Sequence, residues 1–255
     1  MNKYFIGIDI GSTSAKTVVL DENKNIIERM LLPTGWSSKE TSEIILKKLN
    51  ELNFNAGNST IVATGYGRVS VSFANKTVTE ITCHGKGANY LFAPNNNLLI
   101  IDIGGQDTKI IQLENGSVVD FLMNDKCSAG TGRFLEVMSN ALNLKMDELC
   151  DMASKGGDTH ISSLCTVFAE SEVISLIGRG EKRENIAFAI IDSIIKKVCQ
   201  QAQKLYKKGM IVCLTGGLSG FSYISECIGK ELNTEVLHEK EGKFAGAIGA
   251  ALMGF

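Results

Sequence analysis

The order of apolar and polar positions near the start of the chain recurs near its middle. Residues 4–27 consist of an apolar run, an Asp-x-Gly turn, a second apolar run, a polar turn and a third apolar stretch. Residues 97–120 follow the same order, with Asp102 in the place of Asp9. Each copy predicts three short strands, because turn-forming residues separate its apolar runs. Two copies of this unit predict two similarly folded halves that face each other.

The remaining sequence favours alternating strands and helices. Residues 37–40 have the form of a capping box and predict a helix that continues to about Leu52. A polar turn at 94–97 directly precedes the second copy. Strands are predicted at 59–64 and 210–214, a mixed strand and helix connection at 79–91, and helices at 131–142, 167–177, 186–206 and 244–253.

Composition narrows the class of protein. The chain has 255 residues, 44% of them hydrophobic and 21% charged, which is typical of a globular protein. Its net charge of −2 gives no basic excess for nucleic acid. No apolar run reaches the roughly 18–20 residues that span a bilayer, and Asp9 interrupts the only apolar run near the start that could resemble a signal peptide. Seven cysteines, an odd number, favour a reduced cytoplasmic compartment.

Both Asp-x-Gly turns have the composition of a phosphate-binding site. Each places an acidic residue at a strand end beside glycines, whose backbone N–H groups can approach an anion closely. Two facing turns would hold the phosphates of a nucleotide from both sides, and Asp9 and Asp102 would hold Mg²⁺ largely through water. One such turn alone is equally an ordinary hairpin turn. Two copies followed by Thr215-Gly216-Gly217 after a later strand favour a nucleotide site instead.

These patterns give a set of expected site residues. Asp9, Asp102 and Gln106 are the expected catalytic residues, and Gln106 would position the attacking water. The glycines after the later strand would let the chain lie flat against the base and ribose. The residues expected to contact the nucleotide are Gly11, Ser12, Thr13, Ser14, Ala15, Lys16, Gly104, Gly105, Gln106, Thr215, Gly216 and Gly217. The histidines, which lack ligand spacing, are expected to be surface or loop residues: His84, His160 and His238.

Two of the seven cysteines differ from the others in their surroundings. Cys127 lies in a loop directly before a predicted helix, and Cys165 stands immediately before another, so both are expected at helix N-termini, where the dipole favours a thiolate or an anionic cluster. An iron–sulfur cluster ordinarily needs four thiolates, so a symmetric dimer would have to supply the other two. The residues alone leave a cluster and isolated thiols both open. The other five are expected to be packing residues: Cys83, Cys150, Cys199, Cys213 and Cys227.

The two turns and the Thr-Gly-Gly segment resemble the phosphate-1, phosphate-2 and adenosine motifs of the superfamily of actin, sugar kinases and heat-shock chaperone ATPases. This resemblance covers nearly the whole chain. It implies an α/β fold of two ribonuclease-H-like domains with ATP in the cleft between them, and a last helix that returns to the first domain. The expected domains are residues 1–94 with about 243–255, and residues 95–242.

Four further segments closely resemble the activators of 2-hydroxyacyl-CoA dehydratases, a family that includes activators of benzoyl-CoA reductases and double-cubane cluster proteins. They are residues 63–68, 102–111, 124–138 and 165–180. The resemblance implies a cytoplasmic homodimer that binds ATP or ADP with Mg²⁺ and shares one 4Fe–4S cluster, held by Cys127 and Cys165 of each subunit. It also implies a partner iron–sulfur dehydratase, reductase or double-cubane protein, and an upstream donor such as ferredoxin or flavodoxin. Residues 218–223 depart from the family pattern.

The expected function is therefore ATP-driven transfer of one electron to a partner iron–sulfur enzyme. Two alternatives remain open at this point. One is a small-molecule kinase of the same superfamily, such as an amino-sugar kinase, which would need a substrate pocket with a catalytic carboxylate. The other is a non-redox ATP-binding chaperone or scaffold. Iron content separates the first function from both alternatives, and a phosphoryl transfer assay identifies a kinase.

Overall fold

The chain divides into two compact units. The computed structural model describes residues 3–92, 94, 96–162 and 165–255, so Asn95 of the predicted 94–97 turn lies outside the described residues. The first unit comprises Met1–Asn97, Leu113–Val119 and Lys243–Phe255. The second comprises Leu98–Gln112 and Asp120–Gly242.

The first sheet has five strands. Its elements, with the helices of the first unit, are β1 (Tyr4–Ile10), β2 (Ser14–Leu20), β3 (Ile26–Pro33), α1 (Ser38–Glu51), β4 (Ser59–Thr64), β5 (Lys76–Thr77), α2 (Glu80–Leu91) and α8 (Ala245–Leu252). The strand order is β3-β2-β1-β4-β5, with β1 antiparallel to β2 and parallel to β4. The central strand β1 is almost entirely buried, and Asp9 lies opposite Lys16 near its end.

The second sheet also has five strands, in the order β10-β9-β6-β7-β8. Its elements and the helices that follow are β6 (Leu98–Ile103), β7 (Thr108–Glu114), β8 (Ser117–Asn124), α3 (Gly132–Ala141), α4 (Met146–Ala153), α5 (Thr166–Gly178), α6 (Arg183–Ala202), β9 (Ile211–Gly216), α7 (Ser222–Leu232) and β10 (Val236–His238). β6 is buried along its whole length and pairs parallel with β9, which places Asp102 opposite Thr215.

The structure confirms the strands predicted for both copies and most of the other predicted elements. The predicted N-terminal cap of α1 is present, since the Ser37 hydroxyl accepts a hydrogen bond from the Glu40 N–H at 3.3 Å. Large apolar side chains of β6 and α6 pack together in the core of the second unit. Among the described residues, no helix is long and apolar enough to span a membrane.

The prediction for residues 79–91 was wrong, because α2 is helical from Glu80 to Leu91. Two glycines in this segment, Gly85 and Gly87, lower its helix propensity. They are needed because α2 packs directly on the backbone of α8. A Cβ at Gly87 would collide with the Ala245 carbonyl, and one at Gly249 would collide with the Cys83 carbonyl. Packing between two segments distant in sequence therefore decides the conformation here.

Candidate functional site

The first turn, residues 11–13, joins β1 to β2 and is closed by its own backbone. The Gly11 N–H donates to the Ser14 carbonyl at 3.2 Å, and the Thr34 hydroxyl donates to the Gly11 carbonyl at 2.7 Å. Thr13 at its tip is exposed. The predicted site residues therefore include a turn with an exposed tip residue, Thr13, and hydrogen bonds that fix Gly11 at its start.

The residues in and beside the first turn differ in how much of their surface is accessible to a ligand. Gly11, Ser12, Ser14 and Lys16 are half-buried. Ala15 is 1% exposed and packs in the hydrophobic core of the first sheet. Its side chain therefore contributes to packing, although it was expected at the site.

Asp9 is buried and lies near a buried histidine that the sequence analysis placed at the surface or in a loop. His84 is 5% exposed and belongs to α2. Its Nε2 lies 3.9 Å from Asp9 Oδ2 and 3.7 Å from Glu80 Oε1. A Cβ at Gly246 would lie 2.5 Å from Asp9 Oδ2 and 2.8 Å from His84 Nε2, so only glycine leaves room for both side chains. In a helix, the i, i+4 spacing places Glu80 and His84 on the same face. The prediction of a mixed strand and helix for this segment did not make use of that spacing.

The second turn, residues 104–107, repeats the backbone bond of the first. The Gly104 N–H donates to the Asp107 carbonyl at 2.9 Å, as Gly11 does to Ser14. Gly104 and Gly105 are half-buried, and Gln106 at the tip is exposed. Gln106 is thus accessible to a water or a ligand.

Asp102, at the end of β6, is held from two sides. The Thr215 hydroxyl donates to Asp102 Oδ1 at 2.8 Å, and Lys109 Nζ donates to Asp102 Oδ2 at 3.4 Å. Asp102 and Lys109 are each 1% exposed, and Thr215 is buried. Lys109 aligns with Lys16 in the repeat, but its burial follows from tertiary packing and is not evident from the sequence pattern.

The third expected element, Thr215-Gly216-Gly217, forms hydrogen bonds to the end of β6. Gly216 has a φ of +84°, a conformation that favours glycine, and the Gly217 N–H donates to the Ile103 carbonyl at 3.1 Å. The Thr215 hydroxyl, expected near the base and ribose, is bonded to Asp102. Gly217 is exposed, whereas Leu218 and Ser219 at the start of the departing segment are buried.

The second turn is tied directly to α3. The first two N–H groups of this helix, from Gly132 and Arg133, donate to the carbonyls of Gly104 and Gly105 at 2.9 and 2.8 Å. The Thr108 hydroxyl donates to the Gly130 carbonyl at 2.6 Å. The segment that connects Cys127 to α3 is therefore anchored to the predicted phosphate-binding turn.

Cys127 and Cys165 are both exposed. Cys165 is the N-cap residue of α5, as expected. The same expectation was wrong for Cys127, which precedes Gly132, the first residue of α3, by five residues (132 − 127). The Asn124 side chain holds Cys127 instead: Oδ1 accepts from its N–H at 3.3 Å, and Nδ2 donates to its carbonyl at 2.9 Å.

The residues that follow the two cysteines contact each other. Ser128 Oγ and Thr166 Oγ1 are 2.9 Å apart, a hydrogen bond between the two cysteine segments. Lys197 Nζ lies 3.9 Å from Cys127 Sγ. Within the described ranges, no group of three or more His, Cys, Asp or Glu side chains could hold a metal ion.

The other five cysteines are less accessible. Four are buried and Cys227 is half-buried. Burial raises the pKa of Cys83, Cys150 and Cys199 to about 12, and it also raises the pKa of Cys213 and Cys227. These thiols stay protonated at neutral pH, as expected of packing residues.

Comparison with known proteins identifies the family. The activator of lactoyl-CoA dehydratase from Anaerotignum propionicum is 40% identical over 257 residues, which covers 99% of this chain and 97% of that protein. Component A of the (R)-2-hydroxyglutaryl-CoA dehydratase of Acidaminococcus fermentans matches with a TM-score of 0.91 at 36% identity, over 99% of this chain and 97% of that one. The activator of the 2-hydroxyisocaproyl-CoA dehydratase from Clostridium difficile, with bound ADPNP, matches with a TM-score of 0.89 at 37% identity, over 98% and 94% of the two chains.

These matches confirm the predicted α/β ATPase fold and the resemblance to dehydratase activators. The family model described as the BadF/BadG/BcrA/BcrD ATPase family matches residues 6–254, nearly the whole sequence. The chain therefore belongs to the BadF/BadG/BcrA/BcrD ATPase family.

Proposed function

We propose that this protein is an ATP-hydrolysing iron–sulfur electron donor that activates a partner iron–sulfur enzyme. Membership of an ATPase family supports the hydrolytic half, and relatives named as dehydratase activators support the activating half. A kinase is not favoured, because relatives at 36–40% identity over nearly the full chain carry activator names.

The proposed nucleotide contacts come from each turn. The backbone N–H groups at Ser12 and Thr13, with the Lys16 ammonium, would bind phosphate in the first turn, and Gly105 and Gln106 in the second. The exposed tips of both turns support this assignment. Gln106 would orient the attacking water. Gly216 and Gly217 are proposed on the side of the base and ribose.

Asp9 and Asp102 are proposed to face Mg²⁺, which would neutralise charge on the phosphates. The residues present suit such an ion, since both carboxylates lie at strand ends beside the turns. Both oxygens of Asp102 already accept bonds from Thr215 and Lys109. Its contact to the ion is therefore proposed to run through water, as Mg²⁺ commonly retains several waters.

Cys127 and Cys165 are the proposed ligands of a 4Fe–4S cluster, which supplies a carrier for one electron. Both thiols are exposed, and the Ser128–Thr166 hydrogen bond keeps their segments together, so the residues suit the group. One chain offers two such thiols and a cluster ordinarily takes four. A homodimer with a two-fold axis is therefore proposed, each subunit providing both cysteines.

The hydrogen bonds from α3 to the second turn carry this proposal. Gly132 and Arg133 bind the carbonyls of Gly104 and Gly105, and Ser128 binds Thr166 at the start of α5. A change in the turn on hydrolysis would therefore reach both cysteine segments through a continuous set of contacts. This connection would couple ATP chemistry to the surroundings of the two thiols.

The proposed partner is a 2-hydroxyacyl-CoA dehydratase-like, benzoyl-CoA reductase-like or double-cubane cluster protein. A ferredoxin or flavodoxin is the proposed upstream donor. The cytoplasm is the proposed location, because all seven cysteines are free thiols, which suits a reducing compartment.

Iron content and anaerobic absorption test the cluster. Protein purified anaerobically should contain about four iron atoms per dimer. Cys127→Ala and Cys165→Ala should lose this iron, whereas the control Cys199→Ala, at a buried thiol, should keep it. Full iron in both exposed-cysteine variants would refute the ligand assignment. Transfer of phosphate from ATP to an amino sugar by the iron-free protein would favour the kinase instead.

A further inference from the structure

Lys109 is one of the most deeply buried charged side chains in the second unit. It is 1% exposed, and its Nζ lies 2.8 Å from Asp107 Oδ2 and 3.4 Å from Asp102 Oδ2. Two carboxylates and one ammonium leave one net negative charge in this buried group. A lysine with so little exposed surface cannot serve as a phosphate ligand in this position.

The repeat shows that this arrangement belongs to the second copy only. Lys109 aligns with Lys16, and Asp107 aligns with Ser14. Lys16 is half-buried and has surface to offer a ligand. Asp107, whose carboxylate pairs with Lys109, therefore has no acidic counterpart in the first copy. Gly104 provides its space, since a Cβ there would collide with Asp107 Oδ1.

Asp102 is held at both oxygens as a result. Thr215 donates to Oδ1 and Lys109 to Oδ2, while Asp107 fixes the lysine from its other side. A free carboxylate at a strand end could rotate about its side-chain bonds. This one has its orientation set by two donors from different strands, β9 and β7.

We propose that Lys109 is a positioning residue that orients the Asp102 carboxylate for Mg²⁺. The inference rests on the proposed role of Asp102. Groups that orient a metal-binding carboxylate typically change metal affinity or activity by about 10–100-fold when removed. Lys109 acts through Asp102 and touches no reacting atom.

The decisive variant is Asp107→Leu/Lys109→Met. It removes one negative and one positive charge, so the net charge of the group is unchanged, while the Lys109–Asp107 pair and the contact of Lys109 to Asp102 are both lost. Replacing a buried ion pair by apolar residues of similar volume is often neutral for stability. The variant should therefore fold, which circular dichroism and thermal unfolding would verify. Asp107→Asn is the complementary variant, because it changes the net charge but keeps Lys109 beside Asp102.

The measurements are the Mg²⁺ dependence of ADP binding by calorimetry and the kcat and KM of ATP hydrolysis. In the double variant, the Mg²⁺ concentration for half-maximal effect should rise by about tenfold or more, and ADP binding in EDTA should be unchanged. Asp107→Asn should show the smaller change. Asp151→Leu/Lys155→Met is a matched control at an exposed ion pair of 2.7 Å and should behave as wild type.

Two results separate the possible failures. If the folded double variant keeps the wild-type Mg²⁺ dependence while Asp102→Asn loses activity, Lys109 only neutralises Asp107 and the inference is wrong. If Asp102→Asn itself retains full activity, the proposed role of Asp102 fails first. A larger effect of Asp107→Asn than of the double variant would also overturn the inference, since charge would then matter more than orientation.

Discussion

At the scale of single residues, equivalent aspartates have acquired different basic neighbours. Asp9 lies near the imidazole of His84, and Asp102 is bound by the ammonium of Lys109. The two halves therefore present the same acidic group beside different basic side chains. Comparing the ATP hydrolysis rates of variants at Asp9 and at Asp102 would show which of the two proposed metal-binding aspartates contributes more to catalysis.

Asp102→Asn should lower kcat for ATP hydrolysis by about a hundredfold, because charge stabilisation and positioning dominate phosphoryl transfer. Asparagine can still accept the Thr215 hydrogen bond, and Lys109 keeps Asp107 as its partner. The fold should therefore survive. Steady-state hydrolysis by this variant and by Asp151→Asn, at an exposed position, is the test. Wild-type activity in Asp102→Asn would remove this residue from the site.

The buried thiols predict a loss of stability at high pH. Burial raises the pKa of Cys199 to about 12 from 9.0, so the fold favours the protonated thiol. The contribution is complete below the unfolded pKa, near pH 9, and is lost as pH rises towards 12. Urea unfolding at several pH values should show a weaker alkaline decline in Cys199→Ala. An identical decline in this variant and in Cys127→Ala, at an exposed thiol, would contradict the prediction.

At the scale of elements, the packing of α2 on α8 depends on glycine. Gly249→Ala should lower the free energy of unfolding by about 1–3 kcal/mol, the usual cost of overpacking, because its Cβ meets the Cys83 carbonyl. Gly178→Ala is the matched control in α5, where a Cβ meets nothing within 4 Å. It should not destabilise the protein, and the better helix propensity of alanine should raise the free energy of unfolding by up to about 1 kcal/mol. Equal unfolding midpoints for both variants would mean that the helices separate at little cost.

The sequence was most informative where structure is local. Both three-stranded copies, the α1 cap and the two Asp-x-Gly turns could be predicted, because turn residues and apolar runs specify them directly. Residues 79–91 could not, since the α2 helix is stabilised by contact with α8, far along the chain. The burial of His84 and Lys109 escaped prediction for the same reason. The sequence around a charged strand residue such as Lys109 does not show which carboxylates will pair with it in the folded protein.

At the scale of the whole molecule, hydrogen bonds in the second unit connect the second turn to the segments that carry both exposed cysteines. We expect ATP, or ADP with aluminium fluoride, to change the rate at which a water-soluble chelator removes iron, relative to ADP. The nucleotide can do so only if its states differ in affinity for two conformations. Anaerobic chelation with each nucleotide is the measurement. Ser128→Ala, which removes the hydroxyl bonded to Thr166, should reduce the difference.

Equal chelation rates and equal reduction potentials in all nucleotide states would contradict this coupling. Ser154→Ala serves as the control, because its hydroxyl donates locally to the Asp151 carbonyl at 2.7 Å, at the end of α4. A nucleotide effect that persists unchanged in Ser128→Ala would exclude the Ser128–Thr166 bond as its route. The tie between α3 and the second turn would then be the remaining route.

The position of α8 bears on how the protein is made. Gly246 lies against Asp9 and His84, and a Cβ at Gly7 would collide with the Ala247 carbonyl, so this helix covers the central strand of the first sheet. The ribosome joins these residues more than two hundred positions after Asp9. Domains otherwise tend to fold in the order in which they are synthesised. Here the earliest acidic residue obtains its native surroundings last, so a nascent chain holding most of the sequence still lacks the finished environment of Asp9.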